Sequence, residues 1–168
     1  MIHVCSLARL HSTVEETGAQ HVVTLLGIED PVLLPDSVPV ANHLRLHLHD
    51  ITDPMDGYVT PQVEHIERLL AFVREWRRDA PMVIHCYAGI SRSTAAAFAA
   101  VCALNPGRDE RNIAQALRRA SLTAFPNPRI VQLADIVLAR QGRMVAAVEA
   151  IGRGMIAAEG TPFRLDLE

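Results

Sequence analysis

Cysteine is scarce in this chain of 168 residues: there are three, an odd number, and no CxxC pair among them. That excludes a disulfide framework or a zinc knuckle built on paired cysteines, and a reducing cytoplasm is the expected compartment. Long apolar runs are lacking too. The longest nearly unbroken one, 95–104, holds about half of the roughly 20 residues that a spanning helix requires, so no membrane partner is expected. The N-terminus, MIHVCSLARL, has no basic start leading into a long apolar stretch, and no secretory signal is expected. Charge of one sign is not in excess. The net value is −3, which offers no electrostatic footprint for nucleic acid or an acidic lipid surface. Internal repeats, low-complexity tracts and flexible linkers are absent, so residues 1–168 read as one domain.

What is present suffices for a core, with 49% hydrophobic against 21% charged residues. Segments 3–5 and 21–26 (HVVTLL) are apolar and β-rich and read as strands. Residues 28–42 carry three prolines and read as a loop. The stretch LRLHLHD, 44–50, alternates strictly. It predicts a half-buried strand with Leu44, Leu46 and Leu48 on one face and Arg45, His47 and His49 on the other. A helix is expected next, with Thr60 as N-cap and Pro61 at the first helical position. Its apolar stripe is Val63, Ile66, Leu70, Val73 and Trp76. Residues 82–85 enter a buried strand, 86–91 form a loop, and 92–104 form an Ala-rich helix stopped by Asn105-Pro106-Gly107. Helices over 109–120, capped by Asp109, and 128–140 follow, with residues 141–168 a C-terminal helical extension. A strand-rich first half and a helical second half predict an α/β fold, a mixed central sheet flanked by helices.

The chemistry concentrates in the run Val83-Ile84-His85-Cys86-Tyr87-Ala88-Gly89-Ile90-Ser91-Arg92-Ser93-Thr94. A buried strand enters a short loop with one glycine, and the loop enters a helix. Backbone N–H groups at such a junction lack helical partners and converge, which makes an anion site reinforced by the helix dipole. Arg92 can fork two N–H bonds onto two oxygens of a phosphate. The same field favours the ionised, nucleophilic form of a thiol at the mouth of the loop. Cys86 is therefore the candidate nucleophile, and Tyr87, Ala88, Gly89, Ile90, Ser91 and Arg92 are the candidate phosphate cradle. Phosphate, sulfate or vanadate is the expected occupant of the loop.

His85-Cys86, Gly89, Arg92 and Ser93 match the HCxxGxxR[ST] signature, and the chain thereby resembles the cysteine-dependent protein tyrosine phosphatases. Its small size is similar to the dual-specificity branch. Weaker likenesses are the early strand 21–26 and Pro126-Asn127-Pro128 followed by Gln132-Leu133, so the resemblance runs over roughly residues 20–140. It implies a phosphatase-like sandwich and two-step hydrolysis of phosphate monoesters through a phosphocysteine, without metal or other cofactor. The implied substrate is a phosphorylated protein, on tyrosine or serine/threonine, or a small phosphomonoester. By the same resemblance, His85 orients the loop and the Ser93 hydroxyl assists the departure of the Cys86 sulfur.

The resemblance also calls for an aspartic general acid on an upstream loop. Counting back from Cys86 favours Asp53, whereas the end of the alternating strand favours Asp50; a strand end is displaced less easily than a loop count, so Asp50 is placed ahead of Asp53, with Asp56 third. His43, His47, His49 and Asp50 could be read as a metal cluster, but a converging set of ligands is not evident and none is expected. Cys5 and Cys102 read as core residues, either of which could pair with Cys86 under oxidation, as the family allows. Two other functions stay open: a rhodanese-like sulfurtransferase, whose loop also carries a thiolate, and a non-catalytic phosphate-binding domain. The uncharged loop disfavours highly phosphorylated lipid headgroups, and an aromatic content of 4% suggests a shallow, broad pocket.

Overall fold

The computed structural model describes residues 1–167. Five strands form one sheet: β1 (Ile2–Ser6), β2 (His21–Leu26), β3 (His43–His47), β4 (Met82–Cys86) and β5 (Phe163–Leu165), in the order β3-β2-β4-β1-β5. The first four are mutually parallel, and β5 runs antiparallel along β1. Helices α1 (Leu10–Thr17), α2 (Val63–Glu75), α3 (Arg92–Leu104), α4 (Glu110–Ala120), α5 (Pro128–Val137) and α6 (Arg143–Ala150) complete the fold. Among the described residues, no helix is long and apolar enough to cross a membrane.

The sheet divides the core. A small cluster holds Cys5, Val22 and Val83 with Leu10 and Val14 of α1. The main cluster gathers the opposite face of the sheet with α2, α3, α4, α5 and α6. Strand β4 lies between β2 and β1 and is buried along its whole length, as expected of a parallel strand covered on both faces. Helix α3 is buried from Arg92 through Cys102, and its run of alanines lets other elements approach the helix closely. Because β1, β2, β3 and β4 all point the same way, their C-terminal ends meet on one edge. Ligands of open parallel sheets collect at that edge, and Cys86 stands on it.

Several boundaries differ from the sequence pattern, each for a tertiary reason. Helix α2 starts at Val63 with Gln62 as its N-cap, not at Thr60-Pro61. The Nε of Arg129 takes the Pro61 carbonyl at 2.7 Å, which holds that residue outside the helix, and Gln62 donates its N–H to His65 Nδ1 at 3.0 Å. Val63 is exposed, and Leu69 joins the buried stripe. Helix α5 ends at Val137 rather than at residue 140, with Ala139 and Gln141 at positive φ. The reversal turns Arg140 inward, where it donates to Glu110 at 2.9 Å, to the Cys102 carbonyl at 2.8 Å and to the Pro106 carbonyl at 3.1 Å.

The C-terminal extension is only partly helical. After α6 the chain is extended, stitched to the last turn of α4 by Arg118 to the Gly152 carbonyl (2.9 Å) and to the α4–α5 connection by Met155 N–H to the Leu122 carbonyl (2.9 Å), and it then closes the sheet as β5. Neither α1 nor β5 is expected from the sequence pattern. Both are short and draw their order from the sheet that they cover or extend.

The Arg140–Glu110 pair is buried on both sides, and Arg143 adds a second bond to the same carboxylate at 3.2 Å. Removing one partner of a buried pair strands the other charge, at a cost of about 3–5 kcal/mol. Glu110→Ala is therefore expected to lower unfolding stability in urea by about 3 kcal/mol. Arg164→Ala, which breaks an exposed pair with Asp166, is expected to cost less than about 1 kcal/mol.

Candidate active site

The loop from Cys86 to Ser91 is held from outside by its carbonyls. Tyr87 O accepts from Leu7 N–H at 3.1 Å, Ala88 O from Gly160 N–H at 2.8 Å, and Ile90 O from Phe125 N–H at 2.9 Å. Ser91 O accepts from Asn127 N–H at 3.2 Å and from Ala95 N–H at 3.0 Å. The Thr94 hydroxyl, itself in the first turn of α3, reaches Ile90 O at 2.6 Å and Ser91 O at 3.0 Å. With its carbonyls turned outward, the loop keeps its amides inward. Among the described residues, none of the N–H groups of Tyr87 through Arg92 donates to a protein acceptor.

Glycine is required at residue 89. Its φ is +71°, and a Cβ there would lie 2.7 Å from the backbone of Cys5 and Ser6, so the tight loop can lie against β1 only without a side chain. Gly160 packs on the other side, where a Cβ would meet the Gly89 carbonyl at 2.9 Å.

Cys86 ends β4 and is 2% exposed, with its Sγ 3.1 Å from the hydroxyl of the fully buried Ser93. Arg92 is also buried; its Nη1 donates to the Leu48 carbonyl at 3.1 Å, while its Nε is buried without a protein partner. The guanidinium is thus anchored at one corner and leaves donors available. A cleft of about 560 Å³ opens above these groups, lined by Tyr87, Phe125, Pro128, Ala157 and Ala158 at its walls and by Asp50 at its rim. Tyr87 is turned outward, 62% exposed.

The three candidate acids separate clearly. Asp50 lines the cleft, and its Oδ1 accepts from the Ser91 hydroxyl at 2.6 Å and from Asn127 Nδ2 at 2.8 Å. Asp53 is exposed outside the cleft and accepts the Thr52 hydroxyl at 2.8 Å. Asp56 is likewise exposed and does not line the cleft.

His85 lies on the opposite side of β4. It is fully buried, with Nε2 2.7 Å from the Thr24 hydroxyl, which also meets His43 Nε2 at 2.9 Å. One hydroxyl proton serves two rings, so one imidazole donates to Thr24 and the other accepts from it. Burial pushes the His85 imidazole down to about 3, against an opposing contribution from the Cys86 backbone. The ring is therefore neutral at ordinary pH and supports the strand from which the loop departs.

The other two histidines of the β3 stretch differ: His47, in β3, keeps a buried Nδ1 without a partner among the described residues, whereas His49, just past the strand, is held locally. His49 contacts Glu29 at 2.8 Å and accepts the Val59 N–H at 2.8 Å, which closes the base of the loop that carries Asp50. Among the described residues, no group of three or more His, Cys, Asp or Glu is gathered to hold a metal ion. All three cysteines are free. Cys5 packs in the cluster beneath α1, across the sheet from Cys86. Cys102 sits ten residues further along α3 than Arg92, about 15 Å at the helical rise.

A protein-tyrosine phosphatase family model matches residues 37–121, just over half of the chain and the part that includes Asp50, Cys86 and Arg92. The chain belongs to the protein-tyrosine phosphatase family. No match was found among curated protein sequences. Among solved structures, the fold of this phosphatase is similar to that of DUSP15, at 21% identity over 89% of this chain and 90% of that one, with a TM-score of 0.63. Human DUSP28 is similar at 17% identity, 89% and 94% coverage and a TM-score of 0.64. The human tyrosine phosphatase-like serine/threonine/tyrosine-interacting protein is similar at 17% identity, 83% and 92% coverage and a TM-score of 0.65.

Parts of the site had no signal in the sequence of this phosphatase. Ala157, Ala158 and Gly160 come from the extended C-terminal segment and reach the loop only through tertiary contacts. Asn127 was visible as the start of a helix, between two prolines, but nothing in the pattern said that its side chain meets Asp50.

Two expectations follow from the protonation of buried groups. The folded protein resists protonating His85 until about pH 3, whereas the unfolded chain takes up that proton near pH 6.5. Stability is thus complete above about 6.5 and declines as pH falls toward 3. Urea midpoints at pH 7, 5.5 and 4.5 are expected to drop in that order, and His85→Gln is expected to flatten the slope. Burial also pushes the thiols of Cys5 and Cys102 up to about 12. Iodoacetamide at pH 7 is then expected to label Cys86 and spare the other two, as read by mass spectrometry of the digested protein; equal labelling of all three would contradict this.

Proposed function

We propose that the protein phosphatase activity of this family member runs through Cys86 as nucleophile, Arg92 as phosphate clamp and Asp50 as general acid. The observation that carries the reading is the cradle itself. Six consecutive amides without protein acceptors follow Cys86 in the chain, and a buried, partly unpartnered guanidinium lines the same cleft as its sulfur. Such an array suits a tetrahedral dianion and grows in strength as charge spreads over the equatorial oxygens.

In the first step the Cys86 thiolate attacks phosphorus, and the phosphorus–oxygen bond to the leaving group breaks. Asp50 delivers its proton to the departing oxygen. Tyr87, Ala88, Gly89, Ile90, Ser91 and Arg92 hold the three remaining oxygens. In the second step water attacks the phosphocysteine, Asp50 takes its proton, and the sulfur leaves as a thiolate that accepts a hydrogen bond from Ser93. His85 supports the loop without joining the chemistry. No step calls on a metal or other cofactor.

The substrate in this reading is a phosphoprotein, modified on tyrosine or on serine/threonine, with small phosphomonoesters as surrogates and phosphate, sulfate or vanadate as loop ligands. A wide cleft, walled by Tyr87, Phe125 and small apolar side chains, accepts an aryl or an alkyl phosphate. The loop adds no cation besides Arg92, and the chain has no lysine at all, which disfavours polyphosphorylated headgroups. A reducing cytoplasm suits a reaction that needs a free thiol at residue 86.

Hydrolysis of p-nitrophenyl phosphate is the direct test, with cyanide and thiosulfate as the control for sulfur transfer. Cys86→Ser is expected to abolish turnover while still binding vanadate. With phenyl phosphate, whose leaving group needs a proton, Asp50→Asn is expected to lower kcat by about 10²–10⁴-fold and erase the basic limb of the pH–rate profile, whereas Asp53→Asn retains both. Turnover by Cys86→Ser, or loss of the basic limb in the Asp53 variant alone, would overturn the assignment.

A further inference from the structure

The carboxylate of Asp50 is not free to turn. Its Oδ1 receives two donors, the Ser91 hydroxyl at 2.6 Å and Asn127 Nδ2 at 2.8 Å. Asn127 is 3% exposed, and its own Oδ1 accepts the Ile130 N–H at 3.1 Å as the N-cap of α5. That cap settles the direction of the amide. Turning it over would place NH2 against an N–H at one end and an oxygen against a carboxylate at the other, so Nδ2 must face Asp50. The two donors are also tied to each other, since the Asn127 N–H binds the Ser91 carbonyl at 3.2 Å. Pro128 at the first position of α5 stiffens the turn behind them.

We propose that Asn127, together with Ser91, is a positioning residue for proton transfer by Asp50. With Oδ1 doubly engaged, Oδ2 is the oxygen that carries the proton. In the first step the Oδ2 proton passes to the leaving oxygen as the phosphorus–oxygen bond breaks, and Asp50 becomes a carboxylate. Hydrogen bonds to a charged acceptor are about twice as strong as those to a neutral one, so both bonds tighten as the proton departs and favour its delivery. In the second step Oδ2 takes the proton from the attacking water as the sulfur–phosphorus bond breaks. The contacts are made within the protein itself, so the acid stands in place before substrate arrives. Asn127 thus joins the start of α5 to the acid, and Ser91 joins the phosphate cradle to it.

The inference rests on Asp50 being the acid, and the test separates the two claims. Asn127→Ser retains a hydroxyl to cap Ile130 but is too short to reach Asp50. The readout is the ratio of kcat for p-nitrophenyl phosphate, whose leaving group needs little help, to kcat for phenyl phosphate, whose leaving group needs a proton. In Asn127→Ser this ratio is expected to rise about tenfold, a fraction of the full general-acid effect. In the Asp50→Asn background the same substitution is expected to change the ratio no further, because the group that it positions is already disabled. Ser91→Ala, at the N-cap of α3 where the serine hydroxyl makes no capping hydrogen bond, is expected to move the ratio in the same direction.

An unchanged ratio in Asn127→Ser and in Ser91→Ala would overturn the proposal. So would an equal additional loss on both esters in the Asp50→Asn background, which marks a merely structural role. If Asp50→Asn leaves the ratio unmoved in an active enzyme, the acid lies elsewhere and this inference falls with that assignment. A wild-type protein that hydrolyses neither ester would overturn the phosphatase reading itself.

Discussion

The architecture of the site depends on one constraint, that a row of backbone amides be left without protein acceptors inside a packed fold. Unsatisfied buried donors are costly, of order 1–3 kcal/mol each, and a loop free to relax would turn them toward its own carbonyls. Here relaxation is blocked, because the carbonyls of Tyr87, Ala88, Ile90 and Ser91 are taken by Leu7, Gly160, Phe125, Thr94, Asn127 and Ala95. Those partners come from the β1–α1 turn, the α4–α5 connection, α3 itself and the C-terminal segment. The whole chain thus contributes to keeping one loop inside out, with an anion as the natural complement of the donors that result.

The same constraint explains the placing of charge. Every one of the 16 basic side chains is arginine, and the structure uses the guanidinium as a fork that can be anchored at one corner while it works at another. Arg92 spends one N–H on the Leu48 carbonyl at the end of β3, two residues before Asp50. Arg92 and Asp50 are therefore referenced to the same stretch of chain just past β3. Arg140 follows the same logic for stability, dividing its donors among Glu110, Cys102 and Pro106.

How much of this was legible beforehand follows from the range of the interactions concerned. The strand–loop–helix unit of β4 and α3 could be read directly, because the apolar run 82–85, the loop glycine and the Ala-rich helix are local features whose meaning does not depend on distant residues. The β3 alternation could be read for the same reason, although the strand ends at His47 rather than at Asp50; of the two aspartates weighed, Asp50 lines the cleft and Asp53 does not. Helix boundaries failed where a distant side chain intervened. Arg129 holds Pro61 out of α2, and Arg140 unwinds the end of α5 to reach a carboxylate thirty residues away in sequence. Neither arginine differs, as a letter in the sequence, from a solvated one.

The C-terminal segment carries that point furthest. Its 151–162 stretch has no hydrophobic period, and β5 is only three residues long, so nothing local marks either as ordered. Yet Gly160 binds the Ala88 carbonyl, Ala157 and Ala158 line the cleft, and Glu159 accepts the Ser6 hydroxyl at the end of β1. Pairing of β5 along β1 delivers this segment to the loop in a fixed register. A weak strand at the edge of the sheet therefore sets the position of the donor to Ala88 and of one wall of the cleft. Edge pairing and site geometry are one problem here: the antiparallel strand that completes the sheet also completes the frame that keeps the amides of the loop pointing inward.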